Sequence, residues 1–247
     1  DYYQLALEES EMGILDFSGN GDWTALHGAA IAERSVWFQF TLSNTDYMGA
    51  GELLVDMLER DNDSRLTIYF LGSGTPNIVG VSPGDSIQNA SMLNITGHYG
   101  MQWEPEFVSW YENNFIQAEC YFQLGDETLA LNKLNETLDG IEQRWQGLGF
   151  SSASIPRYDN LSGEELLEAI MNEKYKALFL NMQSWSDWRR TGYPTFIDTE
   201  NNSTECGGTS GGISVPRRLL YPEKEKASNP NCPRNDSIYD RLENDPS

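Results

Sequence analysis

The sequence predicts a mainly α-helical fold of paired helices with long loops and one small β-hairpin. Three observations carry this. Apolar residues recur at helical spacing on both sides of Gly125-Asp126. A second long periodic run follows Ser162. The alternating or β-branched runs are short and fall before residue 82.

Taken in order, residues 1–17 predict a short amphipathic helix. Leu5, Leu7, Met12 and Leu15 mark its apolar side and Glu8-Glu9-Ser10-Glu11 its wet side. Ser18-Gly19-Asn20-Gly21-Asp22 is a turn signal. Val36, Phe38, Phe40 and Leu42 alternate with Trp37, Gln39 and Thr41, which predicts a strand or extended segment with Trp37 on the less buried face. Residues 50–60 fit a short helix. Thr67 to Leu71 and Ile78 to Val81 flank a Gly/Pro/Asn turn and predict the hairpin, and 82–104 is expected to be irregular.

The second half is helical in character. Residues 106–124 carry Phe107, Trp110, Tyr111, Phe115, Ala118, Cys120, Tyr121 and Leu124 at helical spacing. Residues 127–144 place Leu129, Ala130, Leu134, Leu138 and Ile141 inward. Ala118, Tyr121, Leu124-Gly125-Asp126 and Ala130 have the spacing of a tetratricopeptide helix pair, with small residues where two helices cross. Such a pair needs neighbours to bury its faces. Ser162-Gly163-Glu164-Glu165 has the form of a capping box and should start a helix of about 20 residues that runs through Trp185. Residues 198–216 and 226–247 are loop-like.

The charge of −22 opposes phosphate backbones, so nucleic acid is not an expected partner, whereas neutral ligands such as sugars are compatible. With three cysteines and two histidines and no CxxC pair, no metal is expected. Asp61-Asn62-Asp63 hints at calcium, but Arg65 and Leu66 occupy positions where an EF-hand loop needs a ligand and a glycine. Cys206 and Cys232 either pair, closing a loop of about 26 residues worth roughly 3 kcal/mol, or stay as thiols; Cys120 reads as a core residue. No apolar run is long enough to span a membrane.

Sugar recognition needs flat aromatic faces edged by groups that bond hydroxyls. The 19–47 stretch supplies Asn20, Trp23, Arg34, Trp37 and Tyr47, together with Asp22, His27 and Gln39. Trp103, with Gln102 and Glu104 beside it, is a further candidate. Packing in the core or at its rim is the alternative for these tryptophans. No G-x-S-x-G, H-E-x-x-H or phosphate loop is present, and nothing marks a catalytic pair of carboxylates. No catalytic residue and no cofactor are therefore expected.

Several separated motifs carry a resemblance. Trp185-Ser186-Asp187-Trp188-Arg189-Arg190-Thr191-Gly192-Tyr193-Pro194 is followed by Val215-Pro216-Arg217-Arg218-Leu219-Leu220-Tyr221-Pro222, then Glu225 and Asn229. Upstream lie Ile170 to Phe179, Phe115 to Cys120 with Gly125-Asp126, and Asn62-Asp63-Ser64-Arg65-Leu66. In this order they resemble the C-terminal portion of SusD/RagB proteins, over most of residues 1–230, with Ser64 where the family has Pro. The resemblance implies a SusD-like fold and a cell-surface nutrient-binding protein at the outer face of the outer membrane. Such a protein captures oligosaccharides, or in some branches peptides, and delivers them to a TonB-dependent SusC-like transporter. It also implies a longer parent whose N-terminal part, with its lipid anchor, lies outside this chain and supplies the membrane attachment. The chain is expected to form one C-terminal region, in which 1–104 is loop-rich and ligand-facing and 105–247 is helical scaffold with C-terminal loops. The Trp185–Pro194 motif is expected to be structural: Arg189 or Arg190 would bond the helix C-terminus and Asp187 would pair with one of them. Arg217, Arg218 and Glu225 would form an ion-pair network. A glycoside hydrolase and a tetratricopeptide-type protein-binding scaffold are the rival functions.

Overall fold

The computed structural model describes residues 2–13, 16, 21–45, 47–72, 77–82, 86–195 and 221–232. The chain divides into two units, Asp1–Pro194 and Thr195–Ser247.

The first unit is built around a helix pair. α1 (Tyr2–Glu11) leans on α5 (Trp110–Gln123), which turns back into α6 (Glu127–Gly147). Ser109 caps α5 through the Glu112 N–H and Asp126 caps α6 through the Leu129 N–H. Between them Gly125 takes φ +85°, the left-handed position that ends a helix without a Cβ clash. Ala118 and Ala130 are both fully buried, as the crossing of two close helices requires. α7 (Gly163–Ala177) covers the pair, and Phe115, Leu134, Leu138, Leu166 and Ile170 form the resulting core. The expected pairing of helices is present.

A second core lies under α3 (Glu52–Arg60) and α4 (Arg65–Tyr69), with Leu58, Ile68, Tyr69, Phe70, Leu93 and Tyr99 buried together. Trp145, from the last turns of α6, packs against both cores and joins them.

Two short antiparallel ribbons complete the unit. β1 (Trp23–Thr24) pairs with β4 (Glu106–Val108), and β2 (Phe70–Leu71) with β3 (Met92–Leu93). The small hairpin therefore exists, but Phe70–Leu71 finds its partner at 92–93 rather than 78–81, and Val81 instead bridges Gly51. Residues 65–69 are helical despite their β-branched composition. The Asp63 carboxylate accepts the Arg65 N–H at 2.9 Å, and that turn starts a helix locally.

The strand expected at 36–42 is a helix, α2 (Val36–Ser43). Its inward residues are Trp37 and Thr41, one helical turn apart, while Val36, Phe40 and Leu42 face out. The alternation had put the apolar set on the wrong face. The helix expected through Trp185 is also split. α7 ends at Ala177, Leu180 takes φ +66°, and α8 (Gln183–Thr191) follows. Ser162 starts α7 but makes no side-chain cap bond, so only the acidic first turn of the expected capping box contributes.

In the second unit the described element is α9 (Glu223–Ser228), where Asn229 donates to the Glu225 carboxylate at 2.6 Å. Arg217, Arg218 and Cys206 lie outside the described residues, so the expected ion-pair network and the Cys206–Cys232 alternative fall there too. Among the described residues no helix is long and apolar enough to cross a membrane.

Candidate functional site

A cleft of about 820 Å³ opens where the 97–106 segment meets the C-terminal half of α6. Its base is aromatic. Tyr69 stacks on Phe179 at 4.7 Å and 15°, and its hydroxyl donates to the Lys176 carbonyl at 3.0 Å. Tyr99 stands edge-on to Trp103 at 4.7 Å and to Phe179 at 5.7 Å. His98 stands edge-on to Trp145 at 4.6 Å. Burial, helped by the Arg144 charge, holds the His98 imidazole down at about 4, so at neutral pH it is an uncharged ring among rings. Burial likewise pushes the Tyr69 and Tyr99 phenols well up.

The segment carrying these rings is pinned from within. The Asn94 amide donates to the Thr67 carbonyl at 3.3 Å, and its backbone carbonyl accepts the Tyr99 N–H at 3.1 Å. Gly97 lies against that amide so closely that a Cβ would sit 2.7 Å from it. A side chain at this position would displace the Asn94 amide, so the glycine lets that amide pin the segment that carries His98 and Tyr99.

One wall is polar. Arg144 of α6 donates to Asp22 at 2.7 Å and to Glu106, whose other oxygen accepts from the Tyr111 hydroxyl. Burial tends to raise the Glu106 carboxyl against the pull of Arg144 and Tyr111. Arg144 stays charged, because Glu106 and Asp22 outweigh the burial that opposes it. Glu104 accepts from Thr24 at 3.2 Å, and Gln102 and Gln143 lie exposed at the rim. Stacking faces with amide and carboxylate edges suit a chain of hydroxyl-bearing rings.

The expected residues are placed as follows. Trp103 lines the cleft half-buried, with Gln102 and Glu104. Trp23 is 66% exposed on β1, 5.6 Å from Phe107, next to Thr24, which does line the cleft. Trp37 packs against the second core. Arg34 donates to the Ala29 carbonyl at 3.2 Å, and Tyr47 is 77% exposed. Asn20 lies outside the described residues. The cleft takes side chains from both sides of residue 104. Tyr69, His98, Tyr99, Trp145 and Phe179 were not singled out as site residues from the sequence, since they come from separate segments that no local pattern links.

Two of the motifs behind the family resemblance, at 62–66 and 170–179, meet in a buried ion network. Arg65, with no exposed surface, donates to Asp63 at 3.0 Å and also to Glu173. Glu173 further accepts from Lys176 at 2.6 Å and Tyr158 at 2.7 Å, and Lys176 reaches Asp61 at 2.6 Å. Asp61 and Asp63, the calcium hint of the sequence, are thus engaged by Lys176 and Arg65. Burial alone would raise the Glu173 carboxyl, yet Arg65 and Lys176 hold it down at about 2. The Trp185–Pro194 motif is likewise structural. Asp187 pairs with Arg190 at 2.9 Å and Lys174 at 2.7 Å, Arg190 reaches across to Glu119 of α5 at 2.8 Å, and Arg189 lies over the Trp185 ring. Asp187 thus pairs with one of the two arginines as expected, and that arginine, Arg190, ties α8 to α5.

Comparison with known proteins follows the same lines. Among solved structures, a chitin-binding protein matches with 21% identity and a TM-score of 0.66, over 93% of this chain and 54% of its own. SusD homologues from Bacteroides vulgatus ATCC 8482 and Bacteroides fragilis NCTC 9343 match at 18% identity with TM-scores of 0.68 and 0.66. They cover 98% and 92% of this chain, and 56% of each of their own. The chain thus spans about half the length of the solved structures it matches. No curated protein matches it. The model of a SusD-like family, described as starch-binding associating with outer membrane, matches residues 5–222. With that match across most of its length, the chain belongs to this SusD-like family.

Proposed function

We propose that the chain captures oligosaccharides in the aromatic cleft and, as part of a longer protein, delivers them to a TonB-dependent SusC-like transporter at the outer face of the outer membrane. The observation that carries the reading is the convergence of Tyr99, Trp103 and Trp145 on one cleft with Gln102 and Gln143 at its rim. Rings offer faces to sugar C–H groups and amides bond hydroxyls, so a glycan is favoured over a peptide. The family description and a chitin-binding structural neighbour support a carbohydrate ligand.

The chain is not an enzyme in this reading. Glu104 and Glu106 both line the cleft and are the pair a glycosidase would use. However, both Glu106 oxygens are engaged by Arg144 and Tyr111, so Glu104 alone of the two is open to a ligand, and one open carboxylate does not make the pair that hydrolysis needs. Calorimetry with maltohexaose, cellohexaose and chitohexaose tests the proposal. Binding of one of these, weakened about tenfold or more in Trp103→Ala, is expected. Equal affinity in wild type and variant would move the site elsewhere. Release of new reducing ends from any of them would restore the hydrolase.

A further inference from the structure

The charges around the cleft are one-sided. Among the described residues lining it, Arg144 is the sole Lys or Arg, and two carboxylates hold it: Asp22 at 2.7 Å, and Glu106. The Asp22 side chain is itself almost wholly buried, so this pairing is not open to exchange with a ligand. His98 adds no positive charge at neutral pH, since burial and the Arg144 charge keep its ring neutral. Glu104, by contrast, is exposed at the rim with Thr24 as its partner, and among the described residues no ion pair engages it. An acidic sugar entering the cleft would meet uncompensated negative charge and no unpaired cation. A neutral sugar meets neither penalty, and an amine gains a carboxylate.

We propose that the cleft selects uncharged or amine-bearing glycans and excludes acidic ones, with Glu104 as the residue that sets this preference. The proposal rests on the reading of the cleft as the glycan site and names the ligand class that site takes.

The test compares matched ligands by calorimetry on the whole chain at low salt. Maltohexaose and cellohexaose are each set against their C6-oxidised, uronate-bearing forms, and chitohexaose against its deacetylated form. The oxidised form of a neutral hexamer that binds should be weaker by about tenfold or more, and the deacetylated form should bind at least as well as chitohexaose. Glu104→Gln should narrow the oxidised-to-neutral gap about threefold or more. Glu136→Gln, which removes the same charge from a 58% exposed position on α6 outside the cleft, should leave the gap in place. An oxidised form that binds as well as its neutral parent would overturn the preference while leaving capture intact. A gap that shifts equally in both variants would assign it to the overall charge and overturn the role of Glu104. Binding by none of the hexamers, in either form, would remove the capture reading and the preference with it.

Discussion

At the scale of single residues, His98 is the most exposed to test. Its ring is neutral in the fold down to about 4, whereas in an unfolded chain it protonates near 6.5. The lowered value means the unfolded state takes up a proton first as the pH falls. Stability attributable to His98 is therefore complete above 6.5, declines between 6.5 and 4, and is level below that, by about 3 kcal/mol in all. His98→Gln should flatten this segment of a plot of unfolding free energy against pH, whatever it costs in absolute stability. An unchanged slope would place the imidazole in water. Trp103 was legible in the sequence because Gln102 and Glu104 flank it, a polar setting that is unusual for a core tryptophan. Trp145 has the same kind of polar flanks, Arg144 and Gln146, but lies at the end of a helical run, and Tyr99 and Phe179 carry no such mark. Only the convergence of three distant segments brings these rings together, which no periodicity reports.

At the scale of elements, the helices with strong periodicity and unambiguous ends were legible, and the short segments were not. α5 and α6 are long enough for packing faces to repeat, and Gly125-Asp126 ends one and caps the next. In α2 only a few residues decide the period. Trp37 was read on the less buried face although it packs inward with Thr41, and tertiary packing settled the choice. Two predictions belong here. Ala118→Leu should destabilise the unit by about 1–3 kcal/mol, read by chemical denaturation, because the α5–α6 crossing has no room for a larger side chain. Gly97→Ala should act differently. Its Cβ pushes the Asn94 amide off the Thr67 carbonyl, so the 97–106 segment loosens and glycan affinity drops several-fold more than global stability would suggest.

At the scale of the whole molecule, the ion network of the family signature and the proposed capture cleft are different places, although Phe179 at the end of the 170–179 motif lines the cleft. The signature residues at 61–65 and 173–176 form a buried network that ties α3 and α4 to α7. They were recognisable in the sequence as motifs, yet their partnership across more than a hundred residues was not. Removing one member leaves an uncompensated buried charge. Glu173→Gln should cost about 3–5 kcal/mol, whereas Asp61→Asn, at the solvent edge, should cost about 1 kcal/mol or less. Because the Glu173 carboxyl is held near 2, below its ordinary 4.5, its contribution is full above 4.5 and is lost as pH falls toward 2. That acid stage lies below the His98 stage and should persist in His98→Gln. Neither Glu173→Gln nor Asp61→Asn bears directly on ligand contact, since neither residue lines the cleft.

The central claim is that the ligand lies on the Tyr99–Trp103–Trp145 cleft, and oxidative footprinting of tryptophan tests it most directly. With a saturating neutral hexamer, Trp103 and Trp145 should be protected, while the more exposed Trp23 should be modified at the same rate with and without ligand. Protection of Trp23, with Trp103 and Trp145 unchanged, would contradict the account and return the site to the 19–47 stretch.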